Sequence, residues 1–151
     1  MAKLNGSSTA EIDAPLEQVW ELVADVERAP DWQGGLKALE ALERDDEGRA
    51  TLCESETDAK IRSVRSIVRF DYRPPTQLRW EQVKGELKSV DGTWELEELS
   101  DGRTRATYWL EVDLGRALGL LIRGPLVGVL RGQLVNSMPE KLKRFIESGA
   151  A

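Results

Sequence analysis

Apolar and polar residues alternate with a period of two over most of the middle of the chain. The clearest run covers residues 61–72, where Val64, Val68 and Phe70 fall on one side and Arg65 and Arg69 on the other. Such alternation indicates an antiparallel strand with one covered and one exposed face. Similar runs separated by turns rich in glycine, proline and aspartate predict strands at residues 9–12, 36–42, 50–56, 61–72, 78–82, 87–99 and 104–112.

A helix is predicted to begin at Pro15, after the first of these strands. Proline is favoured at the first helical position because its missing N–H would have no partner there, and Glu17 suits the positive end of the helix dipole. A second short helix is expected around Pro30 and Trp32. The spacing i, i+3, i+4, i+7 of one helical face is found at Val19, Leu22, Val23 and Val26.

A long C-terminal helix is predicted over residues 118–148. Gly124–Pro125 should break or restart it, and Pro139 should kink it, because proline lacks a backbone N–H and clashes with the preceding turn. Four glycines between residues 119 and 132 either leave room for a ligand or a strand, or make the start of the helix mobile. Its apolar stripe, in steps of three and four, consists of Val127, Leu130, Leu134, Met138, Leu142 and Phe145.

The N-terminal segment has the spacing Ile12-x-Ala14-Pro15-x-x-x-Val19-Trp20-x-x-x-x-Asp25, followed by Pro30-x-Trp32. With the order of the predicted elements, it resembles the START-like or SRPBCC superfamily of polyketide cyclases, coenzyme Q-binding proteins and plant pathogenesis-related allergens. The resemblance implies a single START-like domain over residues 1–151 with an α+β helix-grip fold, β-α-α-β6-α. In that fold a curved antiparallel seven-stranded sheet wraps around the C-terminal helix and leaves an apolar cavity.

Composition narrows the possible functions. Among 151 residues the net charge is −6, with acidic and basic residues interspersed, so we expect no nucleic-acid partner. The chain has no histidine, which removes the commonest neutral-pH base and transition-metal ligand. We therefore expect neither a metal nor a cofactor.

The remaining expectations concern location and assembly. The single cysteine, Cys53, excludes an intramolecular disulfide and favours a cytoplasmic location. The first eight residues lack the apolar core of a signal peptide. The apolar stretch 117–130 is shorter than the ~20 residues that span a bilayer, so no stable membrane insertion is expected. The protein is expected to be a monomer or a homodimer.

Candidate ligand-binding residues follow from strand parity on the inner face that the resemblance implies and from the C-terminal stripe. They are Arg62, Val64, Ser66, Val68, Phe70, Tyr72, Trp80, Val90, Trp94, Tyr108, Leu130 and Leu134.

Several polar side chains on this face have two interpretations each. Arg62 either binds a ligand carboxylate or carbonyl at the cavity mouth or reaches solvent at the end of its strand. The two tyrosines donate hydrogen bonds either to a ligand or to the backbone. Glu54 would be a general base if buried and is otherwise solvated. No residue is nominated as catalytic. Further inner-face candidates by parity are Gln82 and Lys88.

Two functions remain open at this stage. The first is a binding module, a carrier or sensor for an apolar small molecule such as a lipid, quinone or polyketide-like compound. It is favoured by an apolar, aromatic inner face without a recognisable catalytic constellation. The second is a polyketide cyclase or aromatase that uses the same cavity. The fold supports both, so the site has to decide between them.

Overall fold

The computed structural model describes residues 3–149, which form one antiparallel sheet with helices against one of its faces. The strands are β1 (Lys3–Ile12), β2 (Leu36–Arg44), β3 (Ala50–Asp58), β4 (Ser63–Arg73), β5 (Gln77–Gly85), β6 (Ser89–Glu98) and β7 (Thr104–Asp113). The helices are α1 (Leu16–Ala24), α2 (Ala29–Gln33), α3 (Gly115–Leu121), α4 (Pro125–Arg131) and α5 (Met138–Glu147), with a 3-10 turn at Val26–Arg28 and a π-helical turn at Gly132–Asn136.

Consecutive strands pair from β2 to β7, and β1 closes the sheet by pairing with β7, which gives the order β1-β7-β6-β5-β4-β3-β2. The α+β class and the predicted order β-α-α-β6-α are confirmed, although the terminal helical region is divided. Sequential antiparallel pairing needs only short turns, which the glycine- and proline-containing connections provide.

The two faces of the sheet differ as the alternation predicts. On the outer face, ion pairs join neighbouring strands: Arg105 reaches Glu11 at 3.2 Å and Glu97 at 2.9 Å. Exposed pairs of this kind contribute at most about 1 kcal/mol each. On the inner face of β4, Val64 and Val68 are buried in the core. Stability therefore comes mainly from the inner face.

Helix α1 begins at Leu16, with Pro15 as an extended N-cap (φ −68°, ψ 153°), one residue after the predicted start. All four residues of its predicted stripe are buried, with Val26 in the 3-10 turn that follows α1. Helix α2 places Trp32 in the core, 6.0 Å from the ring of Trp94. The two short helices thus cover one end of the sheet.

Strand β1 is longer than predicted, since its ladder with β7 runs from Lys3 opposite Asp113 to Ile12 opposite Thr104. Residues 5–8 are polar and show no apolar alternation. The C-terminal helical region lies against them, and a Cβ built on Gly6 would lie 3.2 Å from Val135. Tertiary packing therefore extends the strand beyond its sequence pattern.

The predicted C-terminal helix is divided, and its main break falls at Gly124–Pro125, as the sequence indicated. Gly124 has φ +64°, a backbone conformation that favours glycine, and Pro125 starts a new helix. The segments Gly115–Leu121 and Pro125–Asn136 meet at 108°. Before Pro139 the backbone widens into a π turn, in which the Ser137 N–H donates to the Gly132 carbonyl at 2.9 Å. Pro139 then lies in the first turn of α5, where its missing N–H needs no partner.

Gly92 lies in β6, whose pairing with β5 and β7 is regular around it. A Cβ on Gly92 would lie 2.3 Å from the indole of Trp80. The glycine therefore makes space for this ring on the inner face. A register shift occurs in the neighbouring pair of strands, at Ile67 and Val68 of β4.

Candidate ligand-binding cavity

A cavity of about 180 Å³ lies between the inner face of the sheet and the C-terminal helices. All seven strands contribute side chains to its wall, and α1, α2, α4 and α5 complete it. The wall is predominantly aliphatic and aromatic, as in pockets that take small apolar ligands.

Ten of the twelve predicted ligand-binding residues line this cavity. Their location on its wall follows from alternation along the strands and from the helical stripe. Whether they bind a ligand stays a prediction. They are Val64, Ser66, Val68, Phe70, Trp80, Val90, Trp94, Tyr108, Leu130 and Leu134.

Arg62 was assigned to the inner face, but it lies outside the cavity. It precedes the first residue of β4, Ser63, so the alternation of the strand does not extend to it. Its side chain is exposed and forms an ion pair with Glu86 in the connection between β5 and β6. The alternative interpretation, an end-of-strand residue in solvent, is correct.

Tyr72 faces inward as its parity predicts, but it does not line the cavity. Its hydroxyl donates to the Ala50 carbonyl at 2.5 Å, and the Arg49 guanidinium lies 4.9 Å from its ring centre. Burial raises the pKa of Tyr72, so the hydroxyl stays protonated and donates to the backbone.

Two further polar candidates also lie outside the cavity. The β3 residues on either side of Glu54, Cys53 and Ser55, are buried, so Glu54 points to the outer face. Lys88 is exposed and lies 3.9 Å from Asp113. For Glu54 the prediction of an inner-face position was wrong, because the parity was read one residue out of phase.

Aromatic side chains form one continuous wall of the cavity. Ring centres are separated by 4.7 Å between Trp94 and Tyr108, 5.6 Å between Tyr108 and Trp80, and 6.1 Å between Trp80 and Phe70. Tilted aromatic pairs at such distances stabilise a protein by more than the burial of their apolar area alone would. These contacts hold the rings in place around the space beside them.

Two serines in the wall are hydrogen-bonded within the protein. Ser55 donates to the Ser66 carbonyl at 3.1 Å, and the Ser66 hydroxyl donates to Gln82 Oε1 at 2.8 Å. Gln82 Nε2 in turn donates to the Leu87 carbonyl at 2.8 Å. Gln82, an inner-face candidate, therefore supports the wall from behind Ser66.

The hydroxyl of Tyr108 differs from these groups. Tyr108 is 5% exposed and lines the cavity, yet its hydroxyl has no hydrogen-bond partner among residues 3–149. Burial raises the pKa of Tyr108, so the group is protonated at neutral pH. It offers a hydrogen-bond donor to whatever fills the cavity.

Several side chains on the wall were not nominated from the sequence. Leu4, Thr57 and Leu114 lie outside the predicted strands, so parity could not reach them. Met138 and Ile122 lie in the predicted C-terminal helix, and Gln33 carried no apolar signal.

A family model described as polyketide cyclase / dehydrase and lipid transport matches residues 12–139. No curated protein matches the chain. Among solved structures, a START superfamily protein from Mycobacterium smegmatis has 21% identity and a TM-score of 0.80, over 95% of this chain and 97% of that one.

Two other solved structures are similar over most of their length. A protein from Thermus thermophilus is 24% identical, with a TM-score of 0.78 over 97% of this chain and 100% of that one. An aromatase/cyclase from a Streptomyces species is 20% identical, with a TM-score of 0.67 over 97% of this chain and 83% of that one. At these identities the likeness establishes the fold alone.

Proposed function

The chain belongs to the polyketide cyclase / dehydrase and lipid transport family, and from this premise we propose that it is a carrier or sensor that binds an apolar small molecule in the cavity. The observation that carries the proposal is the unpartnered hydroxyl of Tyr108 on a wall that is predominantly apolar and aromatic. Because this hydroxyl makes no hydrogen bond within the described residues, a ligand with one acceptor atom in the cavity would gain one.

The size of the cavity limits the ligand. A volume of about 180 Å³ exceeds the ~150 Å³ that holds benzene and is below the ~300 Å³ of pockets for drug-sized molecules. A quinone, lipid fragment or polyketide-like compound of one or two rings, or of similar bulk, would fill it. The aromatic wall of Trp80, Trp94 and Tyr108 favours a flat ligand.

Cyclase or aromatase activity, the alternative from the sequence, would need groups that move protons. Among the described residues that line the cavity, none carries a carboxylate, an ammonium or a guanidinium group. Tyr108 is the titratable residue there, and its raised pKa suits a hydrogen-bond donor better than a base. This chemistry favours binding. Cytoplasmic location, a single domain and a monomeric or dimeric state remain predictions.

The proposal is tested by comparing two probes of equal shape. 1,4-Naphthoquinone has carbonyl acceptors and naphthalene has none, and equilibrium dialysis measures the binding of both. We expect the wild type to bind both probes. Tyr108→Phe should weaken naphthoquinone binding about fivefold, the effect of one hydrogen bond of roughly 1 kcal/mol, and leave naphthalene binding unchanged.

Tyr72→Phe is the matched control, since its hydroxyl is bonded to the Ala50 carbonyl outside the cavity. It should bind both probes as the wild type does. If neither probe binds the wild type, or if the two variants weaken naphthoquinone binding equally, the proposal is wrong.

A further inference from the structure

The two helices that follow β7 present apolar side chains to solvent. Leu120 is 62% exposed, Leu121 is 51% exposed and Val129 is 54% exposed. The same segment buries Leu118 and Ile122 against the core. We call residues 115–131, which comprise α3, the bend and α4, the α3–α4 corner. The α3–α4 corner therefore has apolar side chains both on the side that faces the core and on the side that faces solvent.

The charge of this part of the chain is opposite to that of the rest. Residues 114–139 contain Arg116, Arg123 and Arg131 and no aspartate or glutamate. They carry +3, whereas the remainder carries −9, from 18 basic and 27 acidic side chains. Exposed apolar residues and cations are thus combined in one segment of an otherwise acidic chain.

None of the three arginines forms an ion pair with a carboxylate among residues 3–149. Arg116 and Arg123 are exposed, and neither has a carboxylate within 4.0 Å among residues 3–149. On the outer face of the sheet, by contrast, arginines such as Arg79 and Arg105 pair with carboxylates. Arg131 donates to the Asn5 carbonyl at 3.1 Å, which holds it against β1.

We propose that the α3–α4 corner docks on the surface of an anionic lipid bilayer. Exposed leucines beside arginines are the combination that interfacial helices use, with apolar side chains in the headgroup region and cations near lipid phosphates. Docking is peripheral: among the described residues no single helix is long and apolar enough to cross a bilayer, and the pair that passes such a test together is bent by 108°.

Charge favours a lipid surface over a second copy of this chain. A symmetric dimer through the corner would bring the same patch of each copy together, so that unpaired arginines would face one another. Anionic headgroups instead supply the missing counter-charges.

The corner also forms part of the cavity wall through Ile122 and Leu130. Docking would therefore place the cavity beside the lipid bilayer, in which apolar molecules dissolve. The docking itself does not depend on what the cavity holds, so its test is independent of the naphthoquinone experiment.

The test is flotation of the full chain with vesicles of phosphatidylcholine, with and without phosphatidylglycerol, at low and high salt. We expect binding to the anionic vesicles that weakens with salt, because such attraction is screened over about 8 Å at physiological ionic strength. Arg116→Gln with Arg123→Gln should weaken it about 25-fold, since each surface cation contributes about fivefold. Leu120→Gln with Leu121→Gln should reduce it strongly at both salt concentrations.

Matched controls lie at exposed positions on strands β4 and β5, away from the corner. Arg69→Gln with Lys84→Gln removes two exposed cations, and Val83→Gln, at a side chain that is 55% exposed, replaces an apolar one. Both control variants should bind vesicles as the wild type does. Circular dichroism checks that all variants fold. If the double leucine variant does not fold, the single variant Leu120→Gln replaces it in the vesicle experiment.

The proposal is wrong if the wild type does not float with anionic vesicles or if corner and control variants behave alike. It is equally wrong if the leucine substitutions dissolve a dimer in sedimentation while vesicle binding is unaffected, which would assign the corner to a second copy.

Discussion

The two tyrosines on the inner face of the sheet have contrasting surroundings. The hydroxyl of Tyr72 donates to Ala50, and its ring is covered by Arg49. The ring of Tyr108 contacts those of Trp80 and Trp94, the residue lines the cavity, and its hydroxyl has no partner among residues 3–149. Burial raises both pKa values. The perturbed pKa therefore does not identify the candidate site, whereas the missing partner beside a cavity does.

The same contrast separates other residues of the core. We call the buried side chains that do not border the cavity the packed part of the core, for example Val19, Cys53 and Leu142. Burial there raises the pKa of the Cys53 thiol to about 11, so the thiol is protonated and unreactive at neutral pH. Side chains such as Val90 and Leu130 line the cavity instead.

The largest expected effect comes from truncating one leucine in each region. Leu142 and Leu130 are 0% and 1% exposed, but only Leu130 borders the cavity. Leu142→Ala should lower the free energy of unfolding by about 4 kcal/mol and Leu130→Ala by about 2 kcal/mol, because Leu130 has fewer contacts to lose. Urea unfolding measures both. Equal losses would mean that the two regions are packed alike.

The next effect comes from adding volume. Val19→Phe, in the packed part of the core, should cost about 2 kcal/mol through overpacking, whereas Val90→Phe should cost less than about 1 kcal/mol because the ring can enter the cavity. Val90→Phe should also abolish the binding of 1,4-naphthoquinone. Thermal unfolding and equilibrium dialysis measure these effects. A folded Val90→Phe variant that binds the probe normally would place the ligand elsewhere.

The smallest effect concerns the hydroxyl groups. Tyr72→Phe removes a hydrogen bond and should lower the free energy of unfolding by about 1 kcal/mol. Tyr108→Phe removes no hydrogen bond in the ligand-free protein, so its stability should be unchanged or slightly higher. Urea unfolding of the ligand-free proteins distinguishes the two. A loss of similar size in Tyr108→Phe would show that its hydroxyl has a partner.

Much of the candidate site could be predicted because strand parity is a local property. Alternation along β4 placed Val64, Ser66 and Val68 correctly. It failed for Arg62, because the sequence does not show that β4 begins only at Ser63. It placed Tyr72 on the right face, but it could not show that the backbone of β3 would take its hydrogen bond.

In the C-terminal region, too, some features could be predicted from the sequence and others could not. Its apolar stripe was predictable, and Leu130, Met138 and Leu142 of that stripe are indeed buried. Gly124–Pro125 predicted a break, but the 108° angle that follows Gly124 depends on how the two segments pack.

The sequence by itself determined the family, the order of the elements and the inner face of most strands, because periodicity, turn residues and helix starts act over a few neighbouring residues. Only the tertiary structure decided where the core is hollow and which tyrosine keeps an unpartnered hydroxyl. Those features depend on side chains far apart in the chain, such as Leu4, Tyr108 and Met138, which meet around one cavity. A void is the space that their packing leaves between them, and no local pattern encodes it.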